Sequence, residues 1–132
     1  MDKELVAEWF KFASNDVDTV LLLKEMRPQH REIICYHCEQ AVEKYLKGFL
    51  VSKNQMPPKT HDLTQLCNLC LKYDNNFSSL LSNCNYLTAF SVQPRYPKEM
   101  EITDVNVEKA IRYALEARDF KIMVKLRGEV GG

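Results

Sequence analysis

Two sets of side chains in this sequence are spaced for chemistry: paired cysteines and a row of cations. Cys35-Tyr-His-Cys38 and Cys67-Asn-Leu-Cys70 together offer four thiols with His37 among them, the ligand types that hold zinc. Zinc ribbons set each pair in a turn and separate the pairs by about 15–20 residues. Here 28 residues lie between Cys38 and Cys67, and both pairs sit inside apolar helical patterns without flanking Gly or Pro. A three-residue step puts both sulfurs on one helical face, where cysteine packs as a small hydrophobe. We read these cysteines as core residues, with zinc as the competing reading, and expect no metal.

The cations run along the same segment. His37, Gln40, Lys44 and Lys47 stand at i, i+3, i+7 and i+10, so they form one polar strip on a helix. Taken alone, such a strip is a solvated helix surface. Two loops change its meaning. His61 follows Pro57-Pro58-Lys59-Thr60, and Arg95 lies between Pro94 and Tyr96-Pro97; stiff loops that present His and Arg suit a binding site better than mere chain connection. Lys, Arg and His gathered at one end of a helical protein would suit a phosphate, which arginine can hold through two hydrogen bonds. Asp16 falls among apolar residues at helical spacing and needs a cation or several donors if it is buried. It is either one half of a structural ion pair, or a pocket acid or a residue that orients a cation of the pocket.

The elements that must position these groups are helices. Residues 3–25 read as one amphipathic helix whose inner stripe is Leu5, Trp9, Phe12, Ala13, Val17, Val20 and Leu21. A second helix, roughly 28–53, opens with Pro28 in its first turn. Residues 54–62 form a proline-bearing loop, and Thr60 or Asp62 caps a short helix over 62–73. A fourth helix covers 77–91. Two prolines keep 92–102 out of regular helix, and a last helix capped by Thr103 or Asp104 runs toward Gly128. The expected fold is all-α, an up-and-down four-helix bundle with an additional short helix, in a single domain over 1–132.

Composition narrows the function classes. The chain has 132 residues, with 18 Lys+Arg balancing 18 Asp+Glu, so it does not coat nucleic acid by bulk electrostatics. We expect Glu4, Glu8, Glu39 and Glu108 to balance the total from other faces while positive charge collects in one cleft. Five cysteines cannot all pair within one chain, and no signal-like N-terminus or membrane-length apolar run is present; a reducing cytoplasm is the expected setting. Tyr86 and Tyr113 are candidates for an exposed interface.

The run from Cys35 to Lys47 resembles the second-helix signature of HEPN domains (higher eukaryotes and prokaryotes nucleotide-binding). Trp9, Ala13 and Asp16 are similar to the first-helix pattern, Lys59-Thr-His-Asp-Leu63 to the loop into the third helix, and Arg95-Tyr-Pro97 to the late motif. The resemblance covers roughly residues 3–125. It implies a helical bundle, commonly a homodimer, in a cytoplasmic bacterial or archaeal protein often encoded beside a small nucleotidyltransferase. Ribonucleases of the family carry an Arg followed four to six residues later by a His. Arg95 fits the arginine, but Met100, Glu101 and Ile102 hold the place of the histidine. Arg31 and His37 have a matching spacing in the wrong helix, which we read as coincidence. Tyr96 would be a weak proton donor, with a reference pKa of about 10.

Three functions follow. The first is a module that binds a nucleotide or RNA phosphate, with Lys44, Lys47, His61 and Arg95 as contacts and Asp16, His37, Gln40 and Tyr96 in support. It would need no cofactor, and the family resemblance implies a nucleotidyltransferase as its partner in a toxin–antitoxin-type pair. The second is a metal-independent endoribonuclease using Arg95 with His61 or His37. The third is a structural interaction module whose polar strip is solvated surface.

Overall fold

A computed structural model describes residues 1–91 and 101–131. Helix α1, Lys3–Leu23, starts where the Asp2 side chain accepts the Leu5 amide and so satisfies one of the open donors at a helix start. A 3-10 turn over Lys24–Met26 ends it. Helix α2, Arg31–Ser52, begins three residues later than Pro28 because His30 takes a left-handed conformation, φ 68°. Contacts between the two helices fix their relative direction. Phe10 and Trp9 crowd Gly48, Ser14 shares a hydrogen bond with the Tyr45 hydroxyl, and Asp16 meets Lys44 and His37. Numbers rise along one helix as they fall along the other, so α1 and α2 are antiparallel.

Helix α3, Leu63–Leu71, is capped by the Asp62 side chain, which accepts from the Thr64 and Gln65 amides. The expected helix over 77–91 is broken into a 3-10 stretch Asn75–Leu80, helix α4 Leu81–Leu87 and a second 3-10 stretch Thr88–Phe90. Its first part is rich in Asn and Ser, whose side chains compete for backbone groups; Ser79 Oγ donates to the Asn76 carbonyl. The last helix also divides. Helix α5, Asp104–Asp119, opens with a reciprocal Thr103–Asn106 capping box. Helix α6, Lys121–Glu129, follows after Phe120 turns extended, ψ 129°. That turn brings the Phe120 ring to 5.1 Å from Phe77, and Arg127 donates to the Arg118 carbonyl at the broken end.

Helix α2 is the central element, with α1, α3 and α5 packed around it. The fold is all-α, and the described residues contain no strand and no helix long and apolar enough to cross a membrane. All five cysteines are buried. Burial pushes the Cys35 thiol up to about 12 and raises Cys38 and Cys70 as well, which makes them inert apolar residues.

Two expected surfaces come out differently. Tyr86 and Tyr113 meet edge to face at 5.5 Å, and the Tyr86 hydroxyl accepts from Asn106, so both serve contacts within the chain. The inner stripe of α1 is Val6, Phe10, Ala13, Asp16, Val17 and Val20. Leu5 and Phe12 lie outside and Trp9 is half-buried. The segment is apolar on more than one face, and close approach at Gly48 selects Phe10 as the inward ring.

Candidate functional site

Helix α2 carries polar side chains into contact with α1 on one side and with the loop before α3 on the other. On the first side, Asp16 is buried on α1 and accepts from Lys44 Nζ at 2.5 Å and His37 Nδ1 at 2.8 Å. On the second, buried Glu43 accepts from Lys47 Nζ at 3.1 Å and His61 Nδ1 at 2.8 Å. The arrangement repeats: a buried carboxylate, a lysine and a histidine. Each carboxylate only accepts, so each Nδ1 carries a hydrogen. Nε2 is then an acceptor on the neutral ring and a donor on the protonated one.

Glu39 stands one helical turn before Glu43. It is 0 % exposed, so it does not balance charge from another face; Gln40 Nε2 donates to its Oε2 at 2.8 Å. Its Oε1 has no hydrogen-bond donor among the described residues. Burial, with the nearby Glu43 carboxylate, holds Glu39 protonated up to about 8. As a neutral acid it can donate toward Glu43, which accounts for the missing donor.

This geometry alters the expected cleft. Lys44 is tied to Asp16, and Lys47 is tied to Glu43 with only 9 % of its side chain exposed. Charge is therefore matched locally, and the groups that face outward are the remaining Lys44 donors and the two histidines. Asp16, His37 and Lys44 come together, as do Lys47 and His61. Arg95 and Tyr96 lie outside the described residues. The residues missed by sequence reasoning are Glu39 and Glu43; their signal was the Glu39, Glu43, Lys47 step of four, which stacks acid, acid and base on one helical face.

A separate depression of about 470 Å³ lies between Lys24, Arg27 and the α5 residues Glu108, Ile111, Arg112, Leu115, Glu116 and Asp119. Its three cations face three carboxylates, and Arg27 already pairs with Glu108 at 3.3 Å. It concentrates charge of neither sign. The paired Cys35–Cys38 and Cys67–Cys70 thiols point into the core and do not join His37 in a metal-ligand group among the described residues.

Comparison with known proteins adds three findings. A family model described as HEPN domain matches residues 6–124. The chain is similar in structure to an archaeal HEPN homologue known from a crystal structure, with a TM-score of 0.67 and 20% sequence identity over 95% of this chain and 97% of that one. The comparison with curated proteins gives no match.

Proposed function

The chain belongs to the HEPN domain family, and from that membership we propose that it binds the phosphate of a nucleotide or of RNA beside α2. The observation that carries this reading is the repeated carboxylate–lysine–histidine unit. Each buried carboxylate fixes a histidine through Nδ1 and leaves Nε2 for a ligand. In this reading Lys44, His37, His61 and Arg95 supply the contacts and Asp16 and Glu43 orient them, while Lys47, expected as a contact, is held on Glu43 and adds positive potential from within. No metal or cofactor takes part. The wider expectations of a homodimer, a cytoplasmic setting and a nucleotidyltransferase partner in a toxin–antitoxin-type pair rest on the family alone.

Calorimetric titration with ribose 5-phosphate, the four nucleoside monophosphates and a short single-stranded RNA tests the reading. Binding that weakens in Lys44→Gln and in Arg95→Gln supports it. Heat with none of these ligands, and no RNA retained, assigns the chain to the structural interaction module instead.

One observation favours a second reading, the metal-independent endoribonuclease. A histidine held by a carboxylate is set up for proton transfer, and two such histidines are present. RNA incubated in EDTA would then be cleaved by the native chain but not by Arg95→Ala. Cleavage that survives that substitution removes Arg95 from the reaction.

A further inference from the structure

The feature left without a role is the outer face of α1. Leu5 and Phe12 are 40 % and 48 % exposed, and with Glu8 and Trp9 they line a concavity of about 190 Å³. These residues stand at i, i+3, i+4 and i+7, one continuous face. Trp9 lies under Lys47, whose Nζ is 5.8 Å from the ring centroid. Phe12 is one turn, roughly 6 Å, from Asp16, the residue that holds Lys44 and His37. An aromatic platform thus sits directly beside the cation clusters, with one carboxylate at its rim.

Resting on the phosphate-binding reading above, we propose that this concavity takes the nucleobase of the bound ligand, stacked on Phe12 and Trp9, with Glu8 accepting a hydrogen bond from an exocyclic amino group. Stacking on aromatic side chains is how proteins hold unpaired bases, and every base has a face for it. A carboxylate only accepts, so it fits the exocyclic amino group of adenine, cytosine or guanine, whereas uracil has no amino group and offers only its ring N3–H from a different position on the base. Charge separates along the surface in the same sense, with the acid at the base end and Lys44 and His37 toward the phosphate.

Trp9 is the single tryptophan of the chain, so its fluorescence reports on the platform directly. Titration with AMP should shift or quench it, whereas ribose 5-phosphate should bind by calorimetry and leave it unchanged. Phe12→Ala should weaken AMP binding about tenfold and leave ribose 5-phosphate affinity as it was. Glu8→Gln should reduce the preference for AMP over UMP toward unity. Both positions are exposed, and circular dichroism confirms that the variants fold. A six-residue oligoadenylate that binds more tightly than AMP assigns the site to an RNA strand, and equal affinity assigns it to a free nucleotide. AMP binding with unchanged Trp9 emission and unchanged affinity in Phe12→Ala overturns the platform while the phosphate reading stands. Equal affinity for AMP and UMP overturns the role of Glu8. No binding of AMP, ribose 5-phosphate or the oligoadenylate brings down both readings.

Discussion

Glu39 is the residue at which the chemistry of this site is most exposed to pH. In the folded chain it keeps its proton up to about 8, against an ordinary value of 4.5. Between these limits the folded state binds a proton that the unfolded state has lost, so rising pH favours unfolding. The contribution of Glu39 is intact below about pH 4.5, declines up to about 8 and is constant above that. Urea denaturation between pH 5 and 8.5 should therefore show stability falling with pH in the native chain. The fall should be clearly shallower in Glu39→Gln, which keeps the shape and can still donate toward Glu43. A second prediction concerns Glu43 itself. Glu43→Ala leaves Lys47 buried without its carboxylate and should cost about 3–5 kcal/mol in urea denaturation. The double change Glu43→Leu with Lys47→Met should recover most of that stability, because a buried pair replaced by packed apolar groups is often neutral. It should not recover phosphate binding.

At the scale of elements, the antiparallel packing of α1 on α2 depends on the missing side chain at Gly48. A Cβ there would come within 2.6 Å of Phe10 Cε1 and 3.1 Å of Trp9 Cβ. Helix propensity alone would make Gly48→Ala stabilising by about 1 kcal/mol. The clash reverses the sign, and overpacking of this kind costs about 1–3 kcal/mol. A lower melting temperature for Gly48→Ala checks it; an unchanged or higher one would mean that α1 can move outward freely. The same contact sets the rotation of α1, since it turns Phe10 inward and leaves Phe12 outside. Asp16 and the two histidines are thereby aimed by packing as much as by their own hydrogen bonds.

The whole molecule carries balanced charge, 18 of each sign, and the structure balances it locally as well: Lys44 on Asp16, Lys47 on Glu43, Arg27 on Glu108, Arg31 on Asp104. A ligand held here engages few phosphates. The logarithm of RNA affinity should therefore fall with the logarithm of salt concentration with a slope of about −1 to −2, where a basic coat making many contacts gives far steeper values. Calorimetry or fluorescence titration at several salt concentrations measures that slope, and a value steeper than about −4 would place much more cationic surface against the nucleic acid than α2 provides.

Much of the fold was legible in the sequence because helical periodicity and its punctuation are local. Apolar residues at helical spacing mark α2 and, through Val107, Ala110, Ala114 and Ala117, α5; Asp62 and Thr103 mark helix starts by their cap chemistry, and the proline loops mark breaks. The paired cysteines likewise read as core from their spacing and are buried. Less legible were the features decided by neighbours distant in the chain. The segment 5–13 is apolar in more than one direction, so only contact with Gly48 decided that Phe10 goes in and Phe12 stays out. The division at Phe120 follows from a partner ring, Phe77, 43 positions away. At the site, the sequence by itself determined which cations and histidines α2 and its following loop carry. Tertiary structure alone decided that Asp16 and Glu43 each hold one lysine and one histidine, and that Glu39 is sealed beside them as a neutral acid. Burial and pairing are set by what packs across a helix, and spacing along one helix does not contain that information.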